Sequence, residues 1–325
     1  MQCNMYPLRR YTTVAHKTGV PTMDTSFGSN AVDGKVTWSP GKSIFMSMMT
    51  AGAVIGGALT FEPSALIIYT ASTSLVLCLG HSLGMHRRLI HRSFNCPKWL
   101  ENTLIHIGTL VGMAGPFGMI KAHDQRDWAQ RQENCHDYFC HRKPMLIDMI
   151  HQINCEVTLE NGPRFTLDPA TSSDKFFQFL EKYWKWQNLP YAVAFYLIGG
   201  WSWVFWGVCC RVVTCVYGHW FIGYLAHRNS LVSSRSFDVK GAGVQGYNVG
   251  LPMLGFVSFG ECWHNNHHAF PYSAKLGLYP GQSDLGFATL KAFEKFGLVS
   301  DIRVPDKIPE FSDLLTHPHD PVKLL

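Results

Sequence analysis

Charged residues are scarce in this sequence of 325 residues. Asp, Glu, Lys and Arg together make up only 16%, against about a quarter in typical soluble domains, while hydrophobic residues reach 46%. The formal net charge is only +5, and no basic run is interleaved with stacking aromatics, so no nucleic-acid partner is expected. This balance predicts a membrane protein with a polar half.

The sequence also lacks any Cys-x-x-Cys pair among its ten cysteines. Several cysteines, among them Cys78, Cys209 and Cys215, lie inside apolar segments instead. This distribution is typical of buried thiols in a reducing compartment and predicts no disulfide framework.

Long apolar runs are the main positive feature. Residues 44–61 and 64–80 are each near the lower length limit for crossing a hydrocarbon core of ~30 Å, and Glu62-Pro63 separates them. Lys and Arg flank the outer ends but not the connection, so both open ends are expected on the cytosolic side. The two runs predict a transmembrane hairpin; two buried helices of a soluble protein are the alternative.

A second apolar block begins at Tyr191 and predicts another hairpin, with its turn at Gly199-Gly200. Its longer arm runs through Arg211 to His227, and Arg211 is expected to face the protein interior or to lie near the far interface. The predicted fold is therefore an all-α membrane protein. It has four transmembrane helices in two hairpins under a cytosolic helical cap that carries a histidine-rich di-metal site.

This membrane domain is expected to occupy residues 41–305. Residues 1–40 are polar and rich in Ser, Thr and Gly, which predicts a disordered tail with no secretory signal, while an organellar transit peptide is the alternative. Residues 306–325 are expected to form a C-terminal tail.

The stretch from Gly260 to Pro271 holds three histidines within five residues. On a helix, His264, His267 and His268 stand at i, i+3 and i+4 and point from one face. Three neutral imidazoles on one face indicate a metal site, since histidine is the commonest ligand for borderline transition metals. A polar helix end whose histidines only cap or meet solvent is the alternative.

Four further histidines, His86, His91, His123 and His227, stand at the expected membrane-proximal ends of helices. Seven imidazoles exceed the four ligands that one zinc ion uses, so two metals are the economical explanation. Imidazole-rich sites with open positions suit iron that binds dioxygen. The membrane setting suggests a lipid substrate.

Two of these stretches resemble a known family. His86 to Phe94, preceded by Gly84, resembles the first histidine motif (HxxxxH) of the membrane fatty acid desaturases, in particular their stearoyl-CoA desaturase branch. Gly260 to Pro271 resembles the third motif of that branch, GE-x-x-HN-x-HH-x-FP. Arg211 to His227 resembles its last transmembrane helix, whose terminal histidine is an additional iron ligand. The resemblance covers about residues 40–305.

The resemblance implies an enzyme with two irons and a bent tunnel for an acyl chain. It would convert a CH2–CH2 unit to an alkene, most simply in acyl-CoA and of the delta-9 type, with acyl-lipid as another carrier. Electrons would come from a separate donor, cytochrome b5 or a ferredoxin, because the chain has no HPGG-type haem motif. The endoplasmic reticulum with both termini cytosolic is the default location; the acid-poor N-terminus keeps a plastid or bacterial membrane open.

The second motif departs from the family. Where the family has HRxHH, this chain has His123-Asp124-Gln125-Arg126-Asp127, so Arg126 and Asp127 replace two expected ligands. Arginine stays protonated and cannot bind iron. Asp127 lies four residues after His123 on the same helical face and is predicted to bind the metal as a carboxylate; pairing with Arg126 or Arg131 is the alternative.

The full set of predicted ligands follows from these motifs and from the departure. They are His86, His91, His123, Asp127, His227, His264, His267 and His268.

We interpret four other histidines as packed or hydrogen-bonded side chains: His81, His106, His136 and His219. The alternative for His81 or His136 is that it completes the number of metal ligands. Gly223 is a further departure, since the family places an Asn near the metal there, and this weakens the case for a water-mediated contact.

Three other functions remain open at the level of sequence. A lipid hydroxylase or oxidase of the same superfamily is favoured by the altered second motif. A lipid-binding homologue without catalysis would have lost a metal. A zinc-dependent membrane hydrolase would bind zinc and need no oxygen.

Overall fold

A computed structural model describes residues 22–26, 28–239 and 242–308. Within these ranges the chain is mostly helical, and its short strands form two-stranded pairs only, so the predicted all-α membrane fold is confirmed. The helices are α1 (Pro40–Leu59), α2 (Pro63–Ile90), α3 (Lys98–Thr109), α4 (Pro116–Gln130), α5 (Asp137–Cys140), α6 (Met145–Asn154), α7 (Pro169–Ser172), α8 (Lys175–Tyr183), α9 (Leu189–Ala226), α10 (Leu254–Val257), α11 (His264–Ala269) and α12 (Leu285–Lys295). The strands are β1 (Met23–Asp24), β2 (Gly34–Trp38), β3 (Cys155–Leu159), β4 (Arg164–Phe165), β5 (Ser233–Ser234) and β6 (Asn248–Val249).

Three helices in the described part of the chain, α1, α2 and α9, are long and apolar enough to cross a membrane. Helix α9 is interrupted where the sequence predicts a turn: Gly199 and Gly200 have non-helical backbone angles, with φ of +63° at Gly200. Phe195 lies before this turn and Gly207 after it, and the ring of Phe195 is 2.7 Å from the position that a Cβ on Gly207 would occupy. In a straight helix two residues twelve positions apart would be separated by about 18 Å, so the chain must reverse direction at the turn. The arm before the turn is shorter than a membrane-crossing helix, and four crossings stay a prediction.

Arg211 on the second arm of α9 is buried among backbone carbonyls, as one of the two sequence interpretations expected. Its Nε donates to the carbonyl of Gly207 at 2.8 Å, and its Nη1 donates to the carbonyl of Leu110 at 2.5 Å. Nη2 donates to the side-chain oxygen of Asn188. These acceptors replace the water that a guanidinium would need at this depth.

The second half of α2, Val76–Ile90, is a π-helix. The N–H of His91 donates to the carbonyl of His86 at 3.1 Å, an i→i+5 bond. Residues five apart therefore stack one turn above another, whereas in an α-helix they would point to different faces. This winding brings the rings of His86 and His91 together, with centroids 4.8 Å apart.

Glycines let α3 pack closely against this π-helix. A Cβ on Gly84 would lie 2.4 Å from the carbonyl oxygen of Leu104, and one on Gly80 would lie 2.6 Å from the carbonyl carbon of Ile107. Helix α4 then begins at Pro116, which needs no hydrogen bond in the first turn, and carries His123 past the end of α2.

Two short segments of the predicted N-terminal tail, β1 and β2, pair as strands. Met23 pairs with Phe165 in β1–β4, and Gly34 pairs with Leu159 in β2–β3. The partners lie more than a hundred residues away, so no local pattern reveals them. Residues 1–21 of that tail and most of the predicted C-terminal tail, residues 309–325, lie outside the described residues.

Candidate metal centre

Seven buried or half-buried histidines converge in two groups. Within each group the candidate ligand atoms all lie within 4.8 Å of one another. The first group consists of His86, His91, His123 and His267, and the second consists of His227, His264 and His268. The structure thus brings together all seven of the histidines that the sequence motifs single out.

Helix α11 stands between the two groups and supplies both. His264 and His268, four residues apart, turn to the second group, whereas His267 turns to the first. The sequence motif predicts one shared face for these three imidazoles, and the structure divides them. The π-helical end of α2 and helix α4 complete the first group, and the residue that follows α9, His227, completes the second.

The spacing of the ring nitrogens fits bound cations. Nε2 of His264 lies 3.0 Å from that of His227 and 2.9 Å from that of His268, and in the first group His86 and His267 approach at 3.2 Å. A neutral imidazole nitrogen carries one hydrogen or one lone pair, so His264 cannot satisfy both neighbours by hydrogen bonding. A cation satisfies all of them, since nitrogens bound at right angles with metal–nitrogen bonds of about 2.1 Å are about 3.0 Å apart.

Burial keeps four of these imidazoles neutral, those of His227, His264, His267 and His268, and metal binding requires the neutral form. Desolvation, helped by neighbouring imidazoles, holds the pKa of His264 and of His267 well below the usual value. It lowers the pKa of His268 to about 4, although the carboxylate of Asp127 acts against it. His123 differs: burial lowers its pKa, but the hydrogen bond and charge of Asp124, together with the charges of Asp127 and Glu261, outweigh burial and the pKa is raised.

Two carboxylates stand behind rings of the first group. Oε2 of Glu261 lies 2.6 Å from Nδ1 of His86, and Oδ1 of Asp124 lies 3.1 Å from Nδ1 of His123. A carboxylate on Nδ1 fixes the ring and leaves Nε2 to face the metal. Sequence reasoning did not assign this role to either residue, although each adjoins or lies near a predicted ligand in its own motif.

Asp127 lies on the outer side of a second-group ring. Its Oδ1 is 3.7 Å from Nδ1 of His268, and its Oδ2 accepts from Nε of Arg131 at 3.2 Å. The pairing with Arg131 that the sequence offered as an alternative is therefore present, and Asp127 is not among the atoms that converge in either group. Burial raises its pKa, but Arg131 together with His268 and His123 outweighs burial and holds the pKa far below the usual value. Direct binding of a metal by Asp127 stays a prediction.

Arg126 and His141 form a buried network beside the second group. Nη1 of Arg126 donates to Nε2 of His141 at 3.0 Å, and Nδ1 of His141 donates to Oδ2 of Asp148 at 2.8 Å. The ring of His141 stacks parallel to that of His227, with centroids 5.7 Å apart. Gly223 leaves room for this ring, since a Cβ there would stand 3.6 Å from Nε2 of His141.

Gln130 is a second neighbour of this group that sequence reasoning missed. Its amide nitrogen donates to the carbonyl of Phe139 at 2.7 Å and lies 3.0 Å from Nε2 of His227. It stands two turns after His123 on α4, and that spacing is the one signal that the sequence offered.

Of the four histidines that the sequence interpretation set aside, two have the ordinary roles that it gave them. Nε2 of His106 lies 2.9 Å from the hydroxyl of Tyr191, and Nδ1 of His136 accepts from the backbone N–H of Tyr138 at the start of α5. The other two, His81 and His219, meet ring edge to face with centroids 4.8 Å apart. None of the four joins either group.

The sequence is similar to those of several known fatty acid desaturases. The chain is 32% identical over 267 residues to an sn-1 stearoyl-lipid 9-desaturase of Anabaena variabilis, an alignment that covers 79% of this chain and 92% of that protein. It is 32% identical over 233 residues to an sn-1 stearoyl-lipid 9-desaturase of Synechocystis, covering 70% and 68%. It is 26% identical over 255 residues to an acyl-CoA C20 Delta5-desaturase of Anemone leveillei, covering 77% of each.

No family model matches the sequence. The relatives nevertheless cover most of the chain, and the histidine clusters and long apolar helices agree with them. The protein therefore belongs to the membrane fatty acid desaturase family and is an oxidoreductase of fatty acyl chains in a membrane.

Proposed function

We propose that this protein introduces a double bond into a fatty acyl chain with dioxygen as oxidant, at two iron ions held by the two histidine groups. One observation carries the proposal: seven imidazoles meet in two compact groups beside the ends of long apolar helices. A donor set of imidazoles without thiolate suits iron that activates dioxygen.

The first group would hold one iron through His86, His91, His123 and His267. The second would hold the other through His227, His264 and His268, with Asp127 as the predicted additional ligand. Iron bound there would supply the activation of dioxygen that breaking an unactivated C–H bond requires.

The chain's own residues position and shield these sites. Glu261 and Asp124 fix the rings of His86 and His123, so that Nε2 of each faces its group. Burial of His267 and His268, each 5% exposed, limits the access of water to the centre. Helices α2 and α9 extend from the centre into the apolar part of the molecule and would bring an acyl chain within reach.

The acyl carrier, the position of the double bond and the electron donor belong to the same proposal. The similar proteins include desaturases named for acyl-lipid and for acyl-CoA, so both carriers are to be tested, with the delta-9 position first. We propose cytochrome b5 or a ferredoxin as the donor. The proposed site is the endoplasmic reticulum with both termini cytosolic, with a plastid or bacterial membrane as the alternative.

The test uses the full chain purified in detergent and reconstituted in lipid. Iron and zinc per chain are measured, and stearoyl substrates on both carriers are supplied with dioxygen and each donor. About two irons per chain and an alkene that depends on dioxygen and reductant are expected. Zinc in place of iron, or no dependence on dioxygen, would contradict the proposal.

A lipid hydroxylase is the second candidate, because the residues that replace the second-motif histidines do not converge with the other ligands. Arg126 is engaged by His141, and Asp127 by Arg131. The same assay separates the two activities: a desaturase product lacks two hydrogens of the substrate, whereas a hydroxylase product has gained one oxygen.

A further inference from the structure

His81 and His219 belong to neither of the two histidine groups. His81 is 7% exposed, and its Nδ1 is buried without a hydrogen-bond partner. Its ring meets that of His219 edge to face, at a centroid distance of 4.8 Å. A buried imidazole nitrogen without a hydrogen-bond partner is costly until a polar group satisfies it.

His219 opens onto a space inside the protein. Val212, Cys215, Val216 and Ala226 define the buried face of the second arm of α9. At 3.6 residues per turn, His219 lies at the centre of that face, opposite the exposed Thr214 and Phe221, yet it is itself exposed. A residue at the centre of an inward face is exposed only if an internal space adjoins it.

This space lies next to the metal centre on the side of the membrane helices. His81 stands about one turn of the π-helix before His86. His219 stands about two turns before His227 on α9. Any group that occupies the space is therefore within a few bonds of the carbons that reach the centre.

The hydrogen-bonding capacity of the two imidazoles, those of His81 and His219, indicates which kind of group can occupy this space. Methylene groups neither donate nor accept hydrogen bonds, so a plain acyl chain leaves the imidazole nitrogens unsatisfied. A hydroxyl or keto oxygen can pair with an imidazole N–H, and a hydroxyl can also donate to the lone pair. Two imidazoles alone fall short of the three protein ligands of common catalytic metal sites.

We propose that His81 and His219 form a binding site for an oxygen substituent, a hydroxyl or keto group, carried on the acyl chain near the reacting carbons. This inference rests on the proposed function in one respect: the acyl chain is taken to pass the metal centre on this side. The pair would make the enzyme prefer oxygenated chains over plain chains of equal length.

The test compares a series of hydroxyoctadecanoyl chains, which differ in hydroxyl position, with plain octadecanoyl on the carrier that the wild type accepts. Dissociation constants without turnover and product formation are both measured. The wild type is expected to prefer one hydroxyl position by roughly tenfold, the effect of one net hydrogen bond. His219→Leu and His81→Leu are expected to abolish that preference, and His219→Asn, which keeps a donor and an acceptor, to retain part of it.

His106→Leu is the matched control, because it removes a histidine that is hydrogen-bonded to Tyr191 away from the pair. It is expected to keep the preference, and all variants are expected to keep the wild-type metal content. Equal affinity of the wild type for all chains, or a preference that survives both leucine variants, overturns the proposal, and so does loss of metal in His219→Leu. Failure of the proposed function would look different: no alkene from any chain, whatever the dissociation constants.

Discussion

The two histidine groups are built differently, although helix α11 serves both. The first has four imidazoles, and carboxylates of Glu261 and Asp124 stand behind two of its rings. The second has three imidazoles, with Asp127 behind one ring and the amide of Gln130 near another. The altered second motif therefore affects mainly the second group. We expect the ion in the first group and the ion in the second group to respond differently when a ligand is lost.

The largest effect is expected from removing one imidazole in each group. His264→Ala leaves two imidazoles in the second group, fewer than common metal sites have, and should lower the metal content by one ion per chain. His91→Ala leaves three in the first group and should weaken binding without abolishing it. Metal content after dialysis against graded chelator measures both.

Equal losses in the two alanine variants would break this comparison, since they would mean that the groups do not differ in ligand number. A second-group substitution that leaves two ions per chain would mean that another side chain completes that group.

Asp127→Ala tests the replacement in the second motif. Because its carboxylate faces Nδ1 of His268, removing it should lower the affinity of the second ion by roughly 10- to 100-fold and leave the first unchanged. Loss of a whole ion from the variant would instead support the predicted direct ligand. Full retention of iron and activity would contradict both roles.

Glu261→Gln is the corresponding change in the first group. Glu261 contacts Nδ1 of His86 and also pairs with Nη1 of Arg87 at 3.3 Å. The glutamine amide keeps a hydrogen-bond acceptor but loses the negative charge. The affinity of the first ion should therefore fall by roughly tenfold at most, which is the small end of the effect that loss of such a carboxylate partner has. Titration of the metal-stripped variant with ferrous iron measures it, and a change confined to the second ion would contradict the assignment.

The sequence predicted the seven convergent histidines because each motif is local and the ends of helices bring the motifs together. It did not predict how His264, His267 and His268 divide between groups, since that depends on where α11 stands between α2 and α9. The common face of His86 and His91 comes from π-helical winding, for which the motif gives no local signal.

The neighbours of the second group escaped prediction for a different reason. His141 and Gln130 reach it from a loop and from the end of α4, and their partners, Asp148 and Phe139, are set by tertiary packing. The pairing of β1 with β4 and of β2 with β3 escaped in the same way, because strand partners distant in sequence leave no local period.

Acid should affect the metal-stripped protein through buried imidazoles of both groups, since the pKa of His267 in the first group is also held low by burial. In the folded chain the pKa of His268 is lowered to about 4, and those of His227 and His264 are also held low by burial. A lowered folded pKa contributes stability that is present above about pH 6.5 and is lost as pH falls towards about pH 4, because only the unfolded state takes up protons in that window. His123, with its raised pKa, acts in the opposite direction.

Unfolding of the metal-stripped protein in detergent, followed from neutral pH downward, should show this decline. His268→Asn, which removes one titrating group, should make the decline shallower by roughly 3 kcal/mol, the equivalent of about 2.5 pKa units. A stability that is flat across the window would show that these rings are already protonated or solvated in the folded state.

The smallest effect is expected at Gly223, beside the second group. A Cβ there would meet Nε2 of His141 at 3.6 Å, an ordinary contact, so Gly223→Ala should gain helix propensity and raise stability by about 0.5–1 kcal/mol. Gly223→Leu would push its side chain into the ring that stacks on His227, and should lower both stability and the affinity of the second ion. Thermal unfolding and metal titration of the two variants test this together: if leucine were tolerated as well as alanine, His141 would not be packed as a support for His227.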